Sequence, residues 1–315
     1  MPFFSIVIPL YNKENFIEAT VKSILDQTFT DFEILIIDDA STDSSLKIVG
    51  ALDSAKVKII KHPINKGLSA TRNTGIKIAS ADYLAFLDAD DCWDATYLET
   101  IASLINQYPE AKLFATNYLE IYSKTVELLP KTNLKINNTN CIVSDYFKAS
   151  LSQPIYCPSS LCVNKVVFDT IGCYDEQITF GEDVDFNIRA NASFKLAYNP
   201  TPMVKYTMYS QNQITNSSLK NKIIPNFNSF ENLAKGNSSL KKYLDFHRYI
   251  FAKMYKIEND LVNFHRLNKD IDSNPQISGL NYKQRILLNA PPTILRLLQR
   301  VKRYFVAKGH RFTSY

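Results

Sequence analysis

The sequence predicts an α/β protein, a doubly wound and mostly parallel sheet followed by a helical extension. Three observations predict it. Apolar runs alternate with helical periodicity through the first 120 residues, joined by short connections. The run Ile34–Ile37 is purely apolar, as in parallel strands covered on both faces. Two such runs end in carboxylates, at Asp38-Asp39 and at Asp88-Ala89-Asp90-Asp91, where open α/β sheets bind their ligands.

Taken in order, Phe3–Pro9 reads as a strand. Glu14–Gln27 reads as a helix, because Phe16, Ile17, Val21, Ile24 and Leu25 share one face. Phe32–Asp38 is the second strand. Asp43–Leu52 is a helix with Ser41 or Thr42 as N-cap. Val57–His62, Leu68–Ala79 and Tyr83–Leu87 continue as strand, helix, strand, and Asp94–Gln107 closes this half as a helix. Beyond it, 112–130 reads as a strand or hairpin, 131–142 as an Asn/Thr-rich loop, and Asp145–Ser150 as a short helix. Leu161–Val163, Lys195–Tyr198 and Met203–Met208 are predicted strands, and Asp183–Ala192 a helix. The clearest helical periodicity lies in Leu240–Leu267 and Thr293–Val306. The Ser/Asn-rich segment near Gln211–Ser218 marks a boundary. The predicted division is 1–215, itself split at 115, and a helical extension over 216–315.

Composition bounds the function. At 315 residues, with 45 % hydrophobic and 21 % charged residues, the chain is an ordinary globular one. It has no apolar run of about 18 residues that would span a bilayer, and its first residues lack the basic region and cleavage site of a signal peptide. Five cysteines without a CxxC pair fit reduced thiols in the cytoplasm. Four scattered histidines suggest no zinc site. The net charge of +5 hides an asymmetry: 15 Lys/Arg stand against 5 Asp/Glu from Lys241 to Tyr315, leaving −5 for residues 1–240.

Four segments carry chemistry. The carboxylates of Leu87-Asp88-Ala89-Asp90-Asp91 repel one another unless a cation or a held proton relieves them, and Mg²⁺ or Mn²⁺ is the natural partner; the alternative is that Asp90 or Asp91 caps the helix near Asp94. Asp38, Asp39 and Asp43 either supply an acceptor for a base or ribose or form an Asx turn and a cap. In Asn65-Lys66-Gly67-Leu68-Ser69-Ala70-Thr71-Arg72-Asn73, a helix opens after Gly67 and its N-terminus attracts anions; Arg72 lies one turn in, either to reach a phosphate or as a solvated surface residue. In Phe180-Gly181-Glu182-Asp183, Asp183 starts a helix, either as a general base or as an acid favoured by the helix dipole. Asp185 and Arg189 read as an i, i+4 ion pair.

Together these segments, with Pro9-Leu10-Tyr11-Asn12, resemble the inverting family 2 glycosyltransferases in order and rough spacing. The resemblance covers about residues 3–210. It implies the GT-A fold, a Rossmann-like nucleotide-binding sheet, and metal-dependent transfer of a sugar from a nucleotide-diphosphate-sugar, expected to be a UDP-sugar, to a glycan or lipid-linked glycan in cell-surface polysaccharide synthesis. It implies that Pro9, Tyr11 and Glu14 border the nucleotide pocket, Asp39 binds the base and Arg72 lies near the phosphates. Asp88 would contact ribose and metal, Asp90 would hold the metal, Mn²⁺ or Mg²⁺, and Asp183 would deprotonate the acceptor. Glu182, Ser159 and Ser160 would lie on the acceptor side. One departure stands out: many relatives carry a His about 25 residues after the base, where this chain has Tyr206-Thr207-Met208-Tyr209. The metal would then rely on Asp90 alone, or on Tyr209 through water.

In the tail, Arg296, Arg300, Lys302, Arg303, Lys308 and Arg311 fall within 16 residues that contain no acid. Leucines and aromatics interleave them. The pattern fits an amphipathic helix on an anionic membrane surface, or a helix packed on the domain with a solvated basic face. No nucleic-acid-binding motif accompanies the charge, so no nucleic-acid partner is expected. A cytoplasmic protein, peripheral on the inner face of the cell membrane, is the expected location. Two rivals to the transferase are a sugar nucleotidyltransferase, disfavoured because Pro9–Lys13 contains no Gly, and a degenerate nucleotide-sugar binding module.

Overall fold

The computed structural model describes residues 1–52, 54–135, 139–214 and 217–311. Strands β1 (Phe4–Leu10), β2 (Phe32–Asp38), β3 (Val57–Lys61) and β4 (Tyr83–Phe86) alternate with helices α1 (Ile17–Leu25), α2 (Ser45–Gly50) and α3 (Leu68–Ile78). A short strand β5 (Cys92–Trp93) precedes α4 (Tyr97–Gln107). Then come β6 (Leu113–Ser123), β7 (Val126–Leu128), β8 (Cys141–Ile142), α5 (Tyr146–Ala149), β9 (Leu161–Asn164), α6 (Val166–Ile171), α7 (Glu182–Ser193) and β10 (Leu196–Thr207). The extension holds α8 (Glu231–Ala234), α9 (Ser238–Ile257), α10 (Leu261–Lys269), α11 (Pro275–Ser278), α12 (Tyr282–Asn289) and α13 (Pro292–Ala307).

One sheet runs through the molecule in the order β3-β2-β1-β4-β9-β6-β10-β5, with β7 on β6 and β8 on β10. β1 pairs in parallel with both β2 and β4, so successive crossovers leave it in opposite directions. That is a topological switch point, and it opens a crevice at the strands' C-terminal ends. β9 then joins β4 to β6 antiparallel to both, while β6 and β10 are parallel. Apolar residues cover both faces of β1 and β2. Ile6, Ile8, Ile34 and Ile36 pack with Ile17 and Val21 of α1 and with α4. Val7, Leu35 and Ile37 face the other way, toward Ile76 of α3 and a core that continues through α7 into α9. This double burial is why these strands read as unbroken apolar runs.

Most elements fall where periodicity places them, and the exceptions have causes. The two strands expected over Lys195–Tyr198 and Met203–Met208 are one strand, β10, with register shifts where Pro200 and Pro202 interrupt its pairing with β6. The helical stretch expected over Leu240–Leu267 is two helices, α9 and α10, divided where Asn259 takes φ 64° and Asp260 caps a new start through the Asn263 amide. The expected loop 131–142 ends in β8, and part of it lies outside the described residues. The helices after residue 216 pack onto the preceding part of the chain: the Phe180 and Phe251 rings lie 5.8 Å apart, and those of Phe147 and Tyr243 5.4 Å apart. Among the described residues no helix is long and apolar enough to cross a membrane, and the five cysteines are free thiols.

Candidate active site

A cavity of about 920 Å³ lies at the C-terminal ends of β1, β2 and β4. Its polar side is formed by the loops after these strands and by the start of α7. Its apolar side is formed by α9 through Phe246, Ile250, Phe251 and Met254. Of the residues the sequence singled out, Pro9, Tyr11, Asp39, Arg72, Asp88, Asp90, Glu182 and Asp183 all line it.

The carboxylate loop after β4 holds three differently placed acids. Asp88 is the most open, and one of its oxygens accepts from the Arg72 guanidinium at 2.9 Å. Asp90 is buried and pairs with the Lys13 ammonium at 2.7 Å, and the Ser210 hydroxyl donates to the same oxygen. Asp91 is fully buried, accepting from the Ser159 hydroxyl at 2.5 Å and the Thr207 amide at 2.8 Å. Burial, with Asp90 and Asp88 beside it, pushes the Asp91 carboxyl well above the usual range. Asp91 is therefore a strut joining this loop to β10. The capping alternative fails for Asp90 and Asp91, since Asp94 instead accepts the Thr96 amide ahead of α4.

After β2, Asp39 is buried, and its carboxylate accepts from the Lys66 and Gly67 amides at 2.8 and 2.9 Å and pairs with His62 at 2.7 Å. Gly67, at φ 88°, turns these amides toward it ahead of α3. Asp38 accepts from the Ser41 amide in an Asx turn, and Asp43 accepts from the amides of Ser45 and Glu14. Burial raises the Asp43 carboxyl, but these hydrogen bonds prevail and hold it below its ordinary value. Glu14 is a correction: it does not line the cavity, and its carboxylate accepts from the Ser44 amide at the start of α2.

Arg72 has a different first duty from the expected phosphate contact. It is fully buried in α3 and bridges Asp88 to Glu182, both at 2.9 Å, with its guanidinium 5.3 Å from the Tyr174 ring centre. The helix that reads a phosphate or a surface position from sequence is here turned inward. Asp183 follows Glu182 in the first turn of α7, where Gly181 takes φ 79°. Burial in the cavity and the adjacent Glu182 push the Asp183 carboxyl up to about 7, against the lowering effect of Arg72. A carboxyl with that affinity for protons is suited to take one from a hydroxyl near neutral pH. Asp185 and Arg189 form the expected ion pair at 2.7 Å.

Ser159 and Ser160 are a second correction. Both are fully buried and neither lines the cavity. Ser159 carries Asp91 and the Asp88 amide, and Ser160 bonds back to Cys157. The neighbouring Cys157 and Pro158 line the cavity in their place. Sequence reasoning missed the α9 wall and Lys13. The wall's only signal was helical periodicity, which cannot say which face meets a cavity formed by residues far away in the chain.

A divalent ion fits this donor set. Asp88 and Asp90 face the same cavity, and each leaves one oxygen out of its protein pairings. Among the described residues no cluster of three His, Cys, Asp or Glu side chains gathers, so the remaining ligands would be diphosphate oxygens and water, as is usual for Mg²⁺. The strand-end segment without a His delivers Ser210 to Asp90, while Tyr209 turns away against the Tyr122 ring at 5.8 Å.

Comparison with known proteins agrees with this geometry. The chain is 30 % identical over 194 residues to the uncharacterized glycosyltransferase EpsJ of Bacillus subtilis, covering 60 % of this chain and 56 % of that one. It is 36 % identical over 151 residues to the Escherichia coli UDP-Glc:alpha-D-GlcNAc-diphosphoundecaprenol beta-1,3-glucosyltransferase WfaP, covering 45 % of this chain and 59 % of that one. The chain thus spans less than two thirds of either relative. The crystal structure of S. aureus TarS 1-349 in complex with UDP-GlcNAc superposes with a TM-score of 0.67 at 18 % identity, over 97 % of this chain and 90 % of that one, which bears out the GT-A fold. Residues 5–161 match the family described as Glycosyl transferase family 2, and with the strand-end carboxylates and the fold in agreement, the chain belongs to that family.

Proposed function

We propose that this chain is an inverting glycosyltransferase that moves a sugar from a UDP-sugar to a hydroxyl of a glycan or lipid-linked glycan, in the synthesis of a cell-surface polysaccharide. The observation that carries the reading is a single cavity lined by Asp88, Asp90 and Asp183, the last raised to about 7. In this reading the Asp183 carboxylate accepts the acceptor's hydroxyl proton as that oxygen attacks the anomeric carbon and the bond to the diphosphate breaks. Pro9, Tyr11 and Asp39 border the base. Arg72 fixes Asp88 and Glu182 relative to each other, so donor and acceptor sides keep their spacing. Asp88 and Asp90 would hold Mn²⁺ or Mg²⁺, which when bound neutralises charge on the leaving diphosphate. The UDP-GlcNAc named for TarS and the UDP-Glc named for WfaP support a UDP-sugar donor. The diphosphoundecaprenol acceptor named for WfaP supports a lipid-linked one, and the apolar α9 wall gives such an acceptor a compatible surface.

Localisation on the inner face of the cell membrane belongs to the same proposal. On α13, Ile294, Leu297, Leu298, Val301 and Tyr304 form one exposed apolar row, with Arg300 and Lys308 beside it. The test of the site is thermal stabilisation by UDP, GDP, CMP and dTDP, with and without Mn²⁺, on wild type and Asp90→Ala. A ligand at 100 times its Kd adds about 2.7 kcal/mol. A Mn²⁺-dependent shift with UDP that Asp90→Ala abolishes supports the proposal. No shift with any nucleotide sinks it.

A further inference from the structure

Among the described residues, Lys13 is the one cation paired with the carboxylate loop that the proposed chemistry does not use. It follows β1, and its side chain is only 10 % exposed. Its ammonium donates to Asp90 at 2.7 Å, to the Gln211 carbonyl at 2.7 Å and to Ser210 at 3.0 Å. Three N–H groups thus meet three acceptors, so the ammonium is fully satisfied where it stands. The acceptors come from two separate segments, the loop after β4 and the stretch after β10. Ser210 completes the arrangement by donating to the same Asp90 oxygen. Of the other two acids in the loop, Asp88 is partnered by Arg72 and Asp91 is enclosed by Ser159 and Thr207. Asp90 is therefore the acid whose occupant decides what cation the loop carries.

An ion on the second Asp90 oxygen would stand beside the Lys13 ammonium held by the first, and the two cations repel. We propose that Lys13 opposes the divalent ion at Asp90: its ammonium holds one carboxylate oxygen and weakens binding of the ion at the other until a nucleotide diphosphate draws the ammonium away. The diphosphate brings anionic oxygens into the cavity that Lys13 also lines, and they give the ammonium acceptors in exchange for Asp90. The inference rests on the nucleotide-binding reading above. Its consequence is ordered loading: the metal binds weakly alone and strongly with the diphosphate. Lys13 is a positioning residue, and its removal should move metal affinity, which a merely structural lysine would not.

The experiment titrates the full chain with Mn²⁺, following free Mn²⁺ by electron paramagnetic resonance, with and without UDP. The forms are wild type, Lys13→Arg, Lys13→Met and Lys13→Gln, the last keeping hydrogen bonds to Ser210 and Gln211 should the apolar variant fail to fold. In wild type and Lys13→Arg, UDP should tighten Mn²⁺ binding by at least about ten-fold, the size expected from removing a like charge beside the site. Without UDP, Lys13→Gln and Lys13→Met should bind Mn²⁺ at least about ten-fold tighter than wild type, and UDP should add little. Mn²⁺ affinity equal in the neutral variants and wild type overturns the inference, as does tight binding to wild type without UDP. Failure of UDP to bind any form overturns the nucleotide reading instead, and the comparison without UDP still decides the role of Lys13.

Discussion

In the proposed reaction Asp183 is the base, and its environment predicts a pH profile. Its carboxyl is raised from 3.8 to about 7, with burial the largest cause. As a base it must be ionised, so kcat/KM for transfer should rise with pH and level off above an apparent pKa near 7. A profile flat from pH 5 to 8 would contradict this assignment. The same shift affects stability with a definite sign. Between its unfolded and folded pKa values the native protein holds a proton that the unfolded chain has lost. This one group therefore costs stability as pH rises through that window, and comparing Asp183→Asn with wild type in denaturant melts across pH 4–7 should show the cost removed. Arg72 predicts a larger effect. Replacing it by Met leaves Asp88 and Glu182 facing each other without a cation, and breaking such a buried pairing costs about 3–5 kcal/mol. A loss below about 1 kcal/mol, the worth of an exposed pair, would mean the bridge is solvated. The identity of these acids was legible in the sequence, because strand ends and a helix start fix where they stand. Their partners were not: Lys13 and Asp90 lie 77 positions apart, and Arg72 and Glu182 110 apart. The same limit hid the duties of Ser159 and Ser160, which the resemblance placed on the acceptor side and which carry buried hydrogen bonds.

At the scale of elements, the first half was read nearly intact because β1 and β2 are buried on both faces and the helices α1 and α4 each bury one stripe. The packing of helix on sheet is tight at one glycine. A Cβ added to Gly75 of α3 would lie 2.3 Å from Val7 of β1, so the helix would have to move off the sheet. Gly75→Ala should destabilise by about 1–3 kcal/mol, since overpacking outweighs the gain of up to ~1 kcal/mol in helix propensity. Because α3 carries Arg72, weaker nucleotide binding should accompany the loss. An unchanged or raised melting temperature would show that the helix gives way cheaply. β5 and α6 escaped reading, because segments this short carry little periodicity of their own.

At the scale of the whole molecule, the C-terminal helices complete the cavity. α9 supplies its apolar wall and shares a core with α5 and α7, so a fragment ending at residue 215 should lose both that wall and cooperative unfolding. A fragment that melts sharply and binds UDP would contradict this. The charge asymmetry and helical periodicity of the tail were legible; that α9 faces the cavity was not, since only tertiary contacts determine it. The outermost helix, α13, keeps an exposed apolar row, and replacing Leu297, Leu298 and Val301 by Ser should abolish sedimentation with anionic vesicles while leaving the melt unchanged. Continued sedimentation would remove the membrane from the account. The central claim, that this cavity transfers a sugar with Asp183 as base, is tested most directly by assaying transfer and UDP binding side by side in Asp183→Asn. The account predicts transfer reduced by about 10²–10⁴-fold with UDP affinity unchanged. Transfer at the wild-type rate would contradict it.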